Sequence, residues 1–242
     1  MARFPEEVTL INRFAFVPAG LVLMAAVAVQ AQNPPTGAGQ TPPAGAQAPA
    51  TRQQRPPQPP LGPNEWRIDR SHSQAHFSVR HNVVTTVRGQ LGPISGTLEY
   101  DGKDVRSVAA DVTIDVTRIN TQNDNRDAHL RRDDFFNTEQ FPNMTFKSKR
   151  VEPVSEGRFR LIGDLTIRDK TNEVVLDVEG PSAIVKSPRG VLTGATATTR
   201  ISRKAFGVLW NNLIEMMPVV GDEVTVTIDL ELNRPALPGA TQ

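Results

Sequence analysis

The eleven residues 223–233, EVTVTIDLELN, limit the fold more than any other stretch. Val224, Val226, Ile228, Leu230 and Leu232 alternate strictly with Glu223, Thr225, Thr227, Asp229 and Glu231. Successive side chains of an extended strand point to opposite faces, so the segment predicts a strand with one dry and one wet side. The pattern recurs in VAADVTIDVT, where Val108, Ala110, Val112, Ile114 and Val116 share a face. It recurs again in RFRLIGDLTIR, with Phe159, Leu161, Leu165 and Ile167 on one side. Further strands are expected over 75–80, 87–100, 145–151, 173–185 and 190–203. Turn residues punctuate them at Asp101-Gly102, Glu156-Gly157, 169–172 and Gly221-Asp222.

Strands with one apolar face, joined by short turns, imply an antiparallel sheet. About eight of them with almost no helix leave a sandwich or a closed barrel. Residue volume favours the barrel with a cavity. The dry face of 191–201 carries Thr193, Ala195, Ala197 and Thr199, and elsewhere Ala110 and Gly163 interrupt bulkier side chains. An eight-stranded barrel has just enough interior for side chains or for one small ligand, and small linings tip it towards the ligand.

The chain divides by composition. Residues 1–31 read as an export signal: Arg3 and Arg13 precede an apolar run that is too short to span a bilayer and is interrupted by Pro18. An uncleaved anchor is the alternative, and it would be the protein's one attachment to a membrane. Residues 32–63 contain half of the 20 prolines and almost no large apolar side chain, which predicts a disordered spacer. The globular domain is expected over 64–233, with a flexible tail over 234–242. The absence of cysteine excludes disulfides, thiolate metal sites and a thiol nucleophile. A net charge of +1 and 5% aromatic residues argue against nucleic acid as a partner.

Several motifs then fall in a familiar order. WRIDRSHSQAHFSVRHNVVTTVRGQLGPISGTLEYD opens the domain, and RDAHLRRDDFFNTEQFPNMTFKSKRV follows the long strand after it. GDLTIRDKTNEVVLDVE, TTRISRKAFGV and VGDEVTVTIDLEL complete the series. From Trp66 to Leu232 the chain resembles the YceI-like family of secreted bacterial lipid- or polyisoprenoid-binding proteins. The resemblance implies an all-β fold: an extended, antiparallel, eight-stranded lipocalin-like barrel with a short helical lid. It also implies binding of a long isoprenoid or acyl lipid without catalysis or cofactor, in the periplasm or outside the cell. One departure stands out. Leu91, Pro93 and Ile94 occupy a stretch where the family tends to be aromatic, which puts the cavity's length or shape in doubt.

On this reading Phe77, Val79, Ala195 and Ala197 are cavity candidates. Phe135, Phe136 and Phe141 are candidates for a lid touching the ligand, and Phe206 and Trp210 for a loop at the mouth. Arg203 and Lys204 are candidate contacts for a polar head group. Asp124 and Asp127 have the spacing of a helix capping box, which predicts a broken helix over 125–136 with Leu130 projecting away from Ala128 and Phe135.

Metal sites fare poorly. Asn123, Asn125, Asp127 and Asp134 sit at calcium-loop positions, but Ala128 replaces the required glycine and the last ligand is a short aspartate. His72 and His76 in extended chain lie ~13 Å apart, too far to share an ion. Ser71, Ser73 and Ser78 lack the context of a nucleophile elbow. Two rival functions stay open. One is a secreted enzyme using His129 or His76 with a carboxylate at the mouth; the other is an interaction protein acting through its proline-rich arm.

Overall fold

The computed structural model describes residues 59–188, 190–210, 213, 214 and 217–235. The export signal, the linker as far as residue 58 and the tail from 236 lie outside the described residues. In chain order the elements are β1 (Glu65–Ile68), β2 (Gln74–His81), β3 (Thr85–Gln90), β4 (Ile94–Glu99), β5 (Ala109–Asp115) and α1 (Asp124–Leu130). There follow β6 (Asn143–Ser155), β7 (Arg158–Ile167), β8 (Lys170–Glu179), β9 (Val185–Ser187) and β10 (Gly190–Ser202). The last are β11 (Leu213–Ile214), β12 (Met217–Pro218) and β13 (Val220–Pro235).

The long alternating segment is the strand that shuts the ring. On one edge β13 pairs with β10 along the whole of β10, from Gly190↔Pro235 to Ser202↔Glu223. On its other edge it carries β1 and β2 end to end. β4 and β3 lie beside these, and the ladder continues through β5, β6, β7 and β8 back to β10. Counting each end-to-end pair as one stave gives a closed antiparallel barrel of eight strands. One end of the barrel holds Gly190 and Pro235. The opposite end, where Ser202 faces Glu223, is capped by α1 and is called the lid end below.

Bulges supply the bend that closure needs. Along β6 and β7 the register shifts between Ser148 and Arg150 and again between Pro153 and Ser155. Between Val220 and Val224, β13 advances four residues while β2 advances two. Gly221-Asp222, expected as a turn, therefore lies inside a strand, as the irregularity that lets β13 follow β2. The strand expected over 87–100 is also two strands. Pro93 has no N–H to donate and Gly92 has φ 143°, so the ladder breaks between β3 and β4.

Gly163 was expected to leave interior room. Instead, a Cβ there would lie 2.4 Å from Lys147 O and 2.7 Å from Phe146 Cζ. Its missing side chain accommodates the facing strand and the Phe146 ring, opposite the bulge. Gly163→Val should therefore lower stability by roughly 1–3 kcal/mol through overpacking, read by urea denaturation. An unchanged midpoint would show that the contact yields.

Candidate functional site: the barrel cavity and its lid

Inward-facing side chains from the whole ring converge on one cavity. It offers about 180 Å³ to the centres of water molecules, where a single water needs ~10–15 Å³ on the same measure. The barrel is hollow. Its lining extends from Tyr100, Val108 and Val178, towards the end that holds Gly190 and Pro235, to Leu130, Phe135 and Val220 at the lid end. Val224, Val226, Ile228, Leu230 and Leu232 all contribute, so the dry face of the opening motif is cavity wall. The few polar residues in the lining are Glu99, Tyr100, Thr145, Thr199 and Arg203.

Among the residues singled out from sequence, Phe77, Val79, Phe135, Phe136, Ala195 and Ala197 line this cavity. Phe141, Phe206 and Trp210 stand outside its lining. Phe206 is buried in the core. Phe141 lies beneath the Arg168 guanidinium, whose carbon is 5.9 Å from the ring centre. Trp210 packs on Phe135 at 5.0 Å, and so supports a lining residue from behind. Thr193 is buried, but its hydroxyl donates to Ser182 O at 2.8 Å rather than facing the hollow.

The lid is built from charge as well as grease. The N-cap of α1 is Asn123, whose side chain accepts from Arg126 N, and not Asp124 as the spacing implied. Asp127 is displaced from the capping box because it is buried against Thr121, accepting from both its amide and its hydroxyl. Arg126 donates to Thr121 Oγ1 and O, each at 2.8 Å. Of the side chains at calcium-loop spacing, Asn123, Asp127 and Asp134 thus serve separate structural contacts. Leu130 does not project away: it reaches the cavity beside Phe135 and Phe136. The short α1 ends before 135, so helical geometry does not relate these residues.

His129 Nε2 meets Asp134 Oδ2 at 2.9 Å, and its ring stands edge-on to Phe135 and Trp210, both at 5.0 Å. The histidine ties the lid to the loop after β10. His76 is elsewhere, on β2, bonded to Gln74. A cluster that sequence spacing could not show joins His72 to Asp69 and Glu231, at 3.3 and 3.5 Å. Its histidine side chain is 64% exposed, so these contacts are solvent-screened and of small energetic weight.

Two arginines fasten the lid end. Arg203 is buried and donates through Nε to Gly221 O, through Nη1 to Val208 O and Trp210 O, and through Nη2 to Val220 O, at 2.6–3.1 Å. Burial lowers its pKa from the usual guanidinium value, against the opposing pull of Asp222. Lys204, by contrast, is exposed. Arg168 occupies the turn between β7 and β8 with φ 56° and donates to Phe135 O at 2.9 Å and Gly207 O at 3.2 Å. Its Nε and Asp134 Oδ1 are buried without partners among the described residues. Each such atom costs ~1–3 kcal/mol while dehydrated.

The hydrogen-bonded wall is incomplete at this end. Among the described residues β3 pairs with β2, and its other edge makes one bridge, Gln90↔Asn120. Gly89 permits the close approach: a Cβ would lie 2.7 Å from Phe77 Cε1 and 2.8 Å from Thr121 Cγ2. The wall is therefore closed here by a single main-chain bridge and by side-chain packing between the hairpin and the lid segment, a seam with no continuous ladder across it.

Sequence reasoning missed Trp66. It is fully buried inside the other end, its Nε1 donating to Tyr100 O at 2.9 Å while the Arg234 guanidinium lies 4.7 Å from the ring. The alternation of Trp66 and Ile68 in EWRI was a strand signal too short to read alone.

A closed antiparallel barrel around an apolar hollow, with a helical cap, defines a lipocalin-like barrel. The chain belongs to the YceI-like domain family, whose family model matches residues 66–232. A UPF0312 protein of Staphylococcus aureus is 36% identical over 152 residues, covering 62% of this chain and 85% of its own. Among solved structures, the Campylobacter jejuni YCEI protein has 28% identity and a TM-score of 0.56, covering 63% of this chain and 88% of its own. Burkholderia cenocepacia BcnA shares the fold at 21% identity and a TM-score of 0.57, over 68% of this chain and 98% of its own. So does a polyisoprenoid binding domain from Saccharophagus degradans, at 17% identity and a TM-score of 0.51, over 70% and 98%.

Two substitutions separate lining from fastening. Ala197→Phe should reduce the stoichiometry of an apolar fluorescent probe while the thermal midpoint stays within a few degrees, because the ring fills open space. Arg203→Met should instead cost roughly 3 kcal/mol or more, since it strands four carbonyl acceptors; chemical denaturation reads the difference.

Proposed function

We propose that the protein binds and carries one long apolar lipid chain, of isoprenoid or acyl type, inside its barrel after export, without transforming it. The observation that carries this reading is the continuous apolar lining from one end of the ring to the other. Each methylene withdrawn from water contributes ~0.8 kcal/mol, so a long chain needs few polar contacts for tight binding. The name of the Saccharophagus relative, a polyisoprenoid binding domain, supports the same ligand class.

The polar end of the ligand belongs at the lid end. A guanidinium has five N–H groups, and Arg203, one of the lining residues, uses four on carbonyls, so one donor remains to meet an electronegative head. The hydrogen bonds of this arginine fit a carbonyl or phosphate oxygen better than an ammonium. The His129–Asp134 pair fits a fastening role, since the other recorded neighbours of the imidazole are two aromatic rings.

Protein purified from its own exporting host should release a long-chain lipid on solvent extraction, with a matching mass increment in native mass spectrometry. Recovery of none, together with failure to bind isoprenoid and fatty-acid probes, would overturn the proposal. Deleting residues 32–58 should leave binding intact; the cut stops there because Pro59 O and Pro63 O accept from Arg67 and Arg234. Loss of binding on that deletion would place the activity in the arm. Arg168→Gly relieves the left-handed turn while untying the lid, so probe exchange should accelerate several-fold with little loss of stability. Unchanged exchange would show that the lid does not gate the cavity.

A further inference from the structure

The hairpin β2–β3 has a tip that is expensive by two separate criteria. Val83 adopts φ 58°, next to Asn82 at 49°, a left-handed conformation that a β-branched side chain strongly disfavours. Val83 and Val84 are also 57% and 75% exposed. Arg80 maintains this geometry by donating through Nη2 to Val83 O and Val84 O, at 2.5 and 3.1 Å, and through Nη1 to Thr86 Oγ1. A conserved-volume polar turn would be cheaper in both backbone and solvation energy. Strain maintained by dedicated hydrogen bonds, with apolar side chains as its product, points to a surface that receives them.

Position and charge identify that surface. From Gln74 to Gln90 the hairpin contains no acidic residue and two arginines. Arg80 and Arg88 sit on its outer face, opposite Phe77 and Val79, and Arg80 makes its recorded hydrogen bonds within the hairpin itself. The tip stands at the lid end, tied to the start of β13 by Asn82 N donating to Val219 O. Leu209, 64% exposed, projects from the loop after β10 at the same end. The hairpin also supplies one side of the seam described above. The apolar tip and its two arginines therefore stand at the lid end of the cavity, and the base of the same hairpin, at Gly89 and Gln90, borders the lid segment.

We propose that the β2–β3 tip docks on an anionic lipid surface, inserting Val83 and Val84 so that an apolar chain passes between bilayer and barrel through the seam beside the lid. This rests on the lipid-carrying reading for its purpose, but the docking itself is measured separately. Apolar residues at the point of contact with a basic surround are the combination that holds proteins at bilayer interfaces.

The test uses the full chain from an exporting host and vesicles of phosphatidylglycerol and phosphatidylcholine in equal parts. The protein should sediment with these vesicles, and the Val83→Asn/Val84→Ser double variant should bind about tenfold more weakly. Asparagine tolerates the left-handed conformation, so this variant should unfold at or above the parent's temperature. Arg88→Gln should weaken binding at low salt and converge with the parent at high salt. The double variant should also take up a pyrene-labelled fatty acid more slowly from vesicles, while binding as much of it as the parent in vesicle-free solution. Equal sedimentation of parent and double variant would overturn the proposal, as would equal binding to purely phosphatidylcholine vesicles. So would a parent dimer that the double variant dissolves, without vesicle binding, since the tip would then receive a second copy. Failure to bind the fatty acid in free solution would count against the carrier reading, and leaves the sedimentation result to decide docking.

Discussion

Everything in this molecule depends on the backbone ladder between β10 and β13, where all 13 residues of β10 find a partner. That ladder converts an open, one-sided sheet into a closed surface with no free edge along most of its length. Closure satisfies the main-chain donors and acceptors without help from the interior. The inner side chains are then free of structural hydrogen-bonding duties. They can be uniformly apolar, and they need not touch across the middle.

The same constraint explains why the lid end is built differently. Where β3 leaves the ladder, main-chain bonding can no longer seal the wall. Side-chain fastenings replace it: Arg203 gathers the loop after β10, Arg168 ties the lid to Gly207, and Asp127 anchors α1 to Thr121. Among the described residues two buried polar atoms at this end, Arg168 Nε and Asp134 Oδ1, have no partner. Movement should concentrate here, while the ladder keeps the cavity's width nearly fixed. An apolar ligand enters most cheaply where the fewest main-chain hydrogen bonds must break.

Much of the fold was legible because period-two alternation is a direct consequence of strand geometry. The dry faces of 223–233, 108–116 and 158–168 became cavity wall residue for residue, save where Val116 passes into a turn. Of the small side chains on β10, Ala195, Ala197 and Thr199 line the hollow, whereas Thr193 turns its hydroxyl to Ser182 O. Gly163 misled because a missing side chain can serve the neighbouring strand as easily as a ligand. The lid was harder. Local spacing proposed Asp124 as the cap, but burial of Asp127 against Thr121 is a tertiary contact, and no local pattern contains it. Arg203 presents the same difficulty: its charge suggested a head group, whereas four carbonyls from distant positions take up most of its donors. The seam itself arises from which strands fail to pair, and pairing partners are not written in any one segment.

The central claim is that the barrel is hollow and takes up a single apolar chain. A crystal structure of the protein bound to a long-chain fatty acid brominated near its methyl end tests it most directly. The account places a bromine anomalous peak inside the ring, against the walls formed by Ala197, Phe146 and Leu161, with the carboxyl end towards Arg203. Bromine confined to the outer surface, around an interior occupied by the protein's own side chains, would contradict it.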